Sequence, residues 1–102
     1  MLIGGPRRKA DLRAVRRIKR ALREVLDLPD EATVTVAELT CLDADCAPIE
    51  TVIGLLRPNA PQLQHKLHKA ADDVIADDLA RTCQAWGLDR PTDPFLPFFL
   101  ET

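Results

Sequence analysis

The 102 residues, 46% of them hydrophobic and 29% charged, suffice for one domain with one modest core. They are too few for a doubly wound cofactor domain or a barrel enzyme. Aromatic residues make up only 4%, with no Tyr, so base stacking and aromatic-cage recognition have little material. The net charge of −2 hides a division: residues 1–23 carry nine Lys/Arg against Asp11 alone, a sum of +8, and residues 24–102 carry −10.

The chain reads as a single domain over 1–102, opening on a flexible N-terminus at 1–8. Met1-Leu2-Ile3-Gly4-Gly5 is too short for the apolar region of a secretory signal, and its positive charge follows instead of preceding it. No run of 18 apolar residues occurs, so no membrane span is expected and a cytoplasmic location is the default.

A basic amphipathic helix is predicted over 9–28. Leu12, Val15, Ile18, Leu22, Val25 and Leu26 recur at three- and four-residue steps, and the chain there is rich in good helix formers. Pro29 limits the helix, because the residue before a proline avoids the α region. Sheet and second helix are predicted over 33–86. The run from Thr33 to Thr40 alternates with period two and is β-branched, with Val34, Val36 and Glu38 on one face and Thr35, Ala37 and Leu39 on the other. The segment from Thr51 to Leu56 is the next strand, ended by Pro58-Asn59-Ala60-Pro61.

Residues 62–69 admit two readings. Apolar spacing from Leu63 to Trp86 permits one long helix; alternatively 63–67 is a third strand and the helix begins near Asp72 or Asp73, either of which could cap it. A two-stranded sheet is marginal by itself, which favours the third strand. Gly87 ends the helix in either case. The tail, 88–102, places Phe95, Phe98 and Phe99 among Pro91, Pro94 and Pro97. It is expected to lie as an extended strap over this core or a twin subunit, with docking to another protein as the alternative use of the three Phe side chains.

Cysteines and histidines form the first chemical constellation. Cys41 and Cys46 (C-x4-C) with His65 and His68 (H-x2-H) supply two thiolates and two imidazoles, a zinc set in kind. Four intervening residues are long for a knuckle, and a strand would turn the two histidines to opposite faces. A disulfide across the loop and simple packing of small hydrophobes are the competing roles for Cys41 and Cys46. Cys46 as a nucleophile is disfavoured by Asp43, Asp45 and Glu50, whose charge opposes a thiolate. The Asp72, Asp73, Asp77 and Asp78 group lacks a calcium-loop spacing and reads as an acidic helix start.

Arg13, Arg16, Arg17, Arg20 and Arg23 recur at three- and four-residue steps and form a stripe beside the apolar one. Their carboxylate partners could lie in the acidic half or a twin subunit, and the alternative partners are nucleic-acid phosphates, an anionic membrane surface or an acidic protein.

The stretch from Glu38 to Thr51, followed by Lys66-Leu67-His68-Lys69, resembles a small bacterial family of uncharacterised α+β proteins. Its pattern is E-x2-C-x4-C-P-P-x-E-T, a strand, then K-x-x-K-P and a helix-opening E-V-T. Cys41, Cys46, Pro48, Glu50, Thr51, Lys66 and Lys69 fall on that pattern, and Ala47, Ala70 and Ile75 depart from it. The resemblance covers about 40 residues of the middle of the chain. It implies a third strand at 62–68 and marks Glu50, Thr51, Lys66 and Lys69 as motif positions. From its place directly before a strand, Glu50 is expected to accept hydrogen bonds or to pair with Lys66 or Lys69. It implies no activity.

The expected fold is α+β, ordered α-β-β-β-α, a small antiparallel sheet covered by two helices with an extended C-terminal strap. The expected function is a non-catalytic binding or regulatory module with a protein or nucleic-acid partner and no cofactor, a homo-oligomer being one arrangement open to it. A Cys-based metal site, zinc in particular, or a thiol-redox protein is the alternative.

Overall fold

The computed structural model describes residues 11–40 and 49–100. The expected flexible N-terminus at 1–8 and the two loop cysteines, Cys41 and Cys46, lie outside the described residues.

Helix α1 spans Leu12–Val25, shorter than the expected 9–28 at both ends. Asp11 caps its start, its carboxylate accepting the Arg13 N–H at 2.9 Å. Its end is set two residues ahead of Pro29. Asp27 adopts the left-handed conformation at φ 51°. The Asp27 N–H then bonds to the Glu24 carbonyl, and Leu28 N–H to the Arg23 carbonyl at 3.0 Å. These bonds satisfy carbonyls that the helix end would otherwise leave open.

Strands β1 (Thr33–Thr40), β2 (Ile49–Leu56) and β3 (Leu63–Leu67) form one antiparallel sheet with β2 in the centre. The third-strand reading of 62–69 is therefore the one the chain adopts. Register pairs Val34 with Leu55, Val36 with Ile53, and Glu38 with Thr51. Across β2, Ile53 faces His65 and Thr51 faces Leu67. Since partners across a strand pair share a face, Val34, Ile53, Leu55 and Leu67 lie together, all buried. The other face carries exposed Thr33, Thr35, Ala37, Leu39, Leu56, Gln64 and Lys66.

After β3 the chain makes a 3₁₀ turn at Ala71–Asp73, then enters α2 at Ala76–Ala85. Asp72 and Asp73 do not cap α2, as the sequence suggested. They are occupied by the 3₁₀ turn, and Val74 and Ile75 are extended between it and the helix. The bond to the helix start comes from Asp78, whose carboxylate accepts Ile75 N–H at 2.9 Å. Gly87, at φ 78°, ends α2 as expected, with Leu88 N–H bonded to the Cys83 carbonyl at 2.9 Å.

Both helices cover the same sheet face. Ala14, Ile18, Ala21 and Leu22 of α1 and Leu79, Ala80 and Cys83 of α2 join Val34, Ile53, Leu55 and Leu67 in one core. The tail completes it: Phe95 is fully buried, and Phe98 and Phe99 are half-buried against the same cluster. The strap thus lies over the chain's own core, with Phe95 wholly committed there and Phe98 and Phe99 partly exposed. It is not extended. Asp93–Phe99 winds into a 3₁₀ helix, with Phe95 N–H bonded to the Thr92 carbonyl at 2.9 Å. Proline's fixed φ suits this tight winding, and Pro94 sits in the first turn, where a missing N–H costs nothing.

Candidate functional site

Two polar regions stand apart from this core. The first is the end of the sheet that adjoins residues 41–48 in sequence, where the motif positions fall into two groups on opposite faces. Glu38 uses one carboxylate oxygen to accept the Ala71 N–H at 2.7 Å. Thr51, fully buried, donates its hydroxyl to the Lys69 carbonyl at 2.7 Å. The Lys69 ammonium reaches Asp78 at 2.8 Å, on the same carboxylate oxygen that holds Ile75 N–H. One buried carboxylate therefore starts α2 and fixes the segment that leads into it.

Glu50 sits on the opposite face of the sheet from Thr51, its neighbour, and is mostly buried. It takes His68 Nδ1 at 2.9 Å and the Lys66 ammonium at 3.7 Å. The expected Glu50–Lys66 pair is present, and His68 joins it. Lys69 goes elsewhere, to Asp78. His68 was not foreseen as Glu50's partner, although its position one residue past β3 places it on the Glu50 side by strand alternation.

The proposed Cys41/Cys46/His65/His68 set is divided by the same alternation. His65 shares a register position with Ile53 on the helix-covered side, whereas His68 lies with Glu50 on the other. Among the described residues, no group of three or more His, Cys, Asp or Glu side chains is arranged to hold a metal ion. Cys83, the third cysteine, is buried in the core, and burial pushes its thiol from 9.0 up to about 11, against a smaller opposing effect of Arg90. A thiol so raised stays protonated near neutrality and serves as a small hydrophobe.

The second region is the outer side of α1. Arg13, Arg16 and Arg20 are exposed; Arg17, Lys19 and Arg23 are half-buried. The stripe divides into anchored and unanchored cations. Arg23 donates to the Ala32 carbonyl at 2.7 Å and the Pro29 carbonyl at 3.0 Å, tying the helix to the turn before β1. Arg17 lies over the Phe99 ring, 5.6 Å from its centroid, and holds the tail. Arg20 pairs with Glu24 at 3.0 Å along the helix surface, where both side chains are largely exposed and the bond is weak. Arg13, Arg16 and Lys19 make no ion pair with a described residue.

Arg16, Lys19, Arg20 and Arg23, with Glu24, line a shallow open groove of about 410 Å³. Four cations against one carboxylate leave it positively charged. Among the described residues, Glu24 is the one carboxylate that pairs with these cations; Asp77 pairs with Arg81 at 3.0 Å, and Asp78 with Lys69. Periodicity alone could place the arginines on one side of a helix, but not separate those bound to a turn and a ring from those left to solvent.

Compared with family models, with curated proteins and with solved structures, the chain matches none. No helix among the described residues is long and apolar enough to cross a membrane.

Proposed function

We propose that this protein is a non-catalytic binding module that holds nucleic-acid phosphates on the outer side of α1. One observation carries the reading: Arg16, Lys19, Arg20 and Arg23 line a single groove in which Glu24 is the one lining carboxylate. Guanidinium groups match phosphate oxygens two at a time, and an exposed cationic row binds a polyanion chiefly by releasing its condensed counterions. The sheet-end network then has a structural task, since Thr51, Lys69 and Asp78 bond mainly to one another and to backbone of the β3–α2 connection. A resident zinc ion is not part of this reading.

The test is a binding titration with nucleic acid at several salt concentrations. The expected affinity falls steeply as salt rises, with log K decreasing about linearly with log salt. Binding that is absent, or indifferent to salt, defeats the proposal. Elemental analysis of protein purified without chelator is expected to return far less than one zinc per chain; a stoichiometric value lost in Cys41→Ser would restore the metal alternative.

A further inference from the structure

We infer that the nucleic acid this surface fits is a duplex, held by its backbone without sequence reading; the inference rests on the phosphate-binding proposal above. Single strands are commonly held by a cationic groove together with aromatic side chains on which bases stack. Here the groove has no such platform. Phe95 is fully buried, Phe98, Phe99 and Trp86 are half-buried in the core cluster, and the Phe99 ring is already covered by Arg17. Tyr is absent from the sequence. The large apolar side chains that are exposed, such as Leu12, Leu39 and Leu100, are aliphatic.

What remains is charge on a rigid rod. The 14 residues of α1 form one uninterrupted helix, anchored at Arg23 to the following turn and at Arg17 to the tail. At about 1.5 Å per residue, Arg13 and Arg20 stand about 10 Å apart along the axis, with Arg16 and Lys19 between them. A fixed row of cations gains most from a fixed row of phosphates. A duplex supplies one, with about one charge per 1.7 Å of axis, and its counterion release per neutralised phosphate exceeds that of a single strand. Contacts of this kind set position and carry no base information.

The experiment compares a 20-base-pair DNA duplex, an RNA duplex of the same sequence and the separated DNA strand, each at several salt concentrations. We expect a duplex to bind at least fivefold tighter than the single strand, with little change when the sequence is scrambled. The DNA and RNA arms show which backbone geometry is preferred. The triple variant R13Q/R16Q/K19Q should weaken duplex binding at least thirtyfold at low salt and flatten the salt dependence, with an unchanged far-UV circular dichroism spectrum. Arg81→Gln, on α2, should bind as the unsubstituted protein does. A single strand bound as tightly as the duplexes, or a strong sequence preference, would overturn the duplex inference while leaving phosphate binding intact. Duplex binding unaffected by the triple variant would remove α1 as the surface and overturn both.

Discussion

Asp78 shows how much one side chain can organise. It is nearly buried, and its carboxylate answers both the Lys69 ammonium and Ile75 N–H. Half of a capping box is formed: Ile75, at the position before the helix, has no side-chain oxygen with which to reciprocate. Asp78→Ala removes both bonds and leaves Lys69 without its partner, so chemical denaturation should show a loss of about 2–3 kcal/mol. Asp78→Asn retains an acceptor for Ile75 and should lose less. Cys83 offers a second test. Its thiol is raised to about 11 in the folded chain, so the anion is disfavoured by folding. Stability from this group is complete below pH 9.0 and declines as pH rises from there towards about 11, because the unfolded chain releases the proton first. In a Cys41→Ser/Cys46→Ser background, Cys83 should resist thiol reagents at pH 8 and react only on unfolding. At this scale the sequence was partly legible. The expectation that Glu50 pairs with Lys66 or Lys69 holds for Lys66 alone, and Asp78 looked like one of four interchangeable aspartates, since only the folded chain brings Lys69 to it.

Strand β2 occupies the centre of the sheet and therefore carries the tightest constraint among the elements. Gly54 pairs with Thr35, and a Cβ on Gly54 would collide with the Thr35 hydroxyl oxygen. Gly54→Ala should lower stability by about 1 kcal/mol, since the Thr35 side chain must leave its rotamer to admit the methyl group. Thr35 is exposed and its hydroxyl can be removed cheaply, so Thr35→Ala in the Gly54→Ala background should recover most of the loss. A double-mutant cycle measured in urea gives the coupling directly, and additive effects would refute the contact. The elements themselves were well marked: the alternation of Thr33–Thr40, the apolar steps of α1, and Gly87 as the end of α2. Their limits were less so. Asp27 ends α1 ahead of Pro29 by adopting a left-handed conformation, a choice that propensity assigns first to glycine.

The tail packs into the same core as the helices and the sheet. Phe95 is among the largest fully buried side chains, in a core shared with both helices and the sheet. Phe95→Ala should cost about 3–5 kcal/mol, a large part of what a domain of this size holds in total. Circular dichroism and tryptophan fluorescence followed through thermal unfolding should still coincide, at a lower midpoint; separated transitions would mean that the tail docks independently. The sequence by itself determined the order of helices and strands outside 62–69, the alternation of each strand's faces and the concentration of arginine on α1. Those properties are local, set by periodicities of 3.6 and 2 and by charge along the chain. Only the tertiary structure decided that the prolines and phenylalanines wind into 3₁₀ turns over this chain's own core. It alone joined Lys69 to Asp78 and divided the arginines into anchors and an open cationic surface. Each of these depends on which distant segment arrives beside a residue, and burial and pairing across the chain settle that where local pattern is silent.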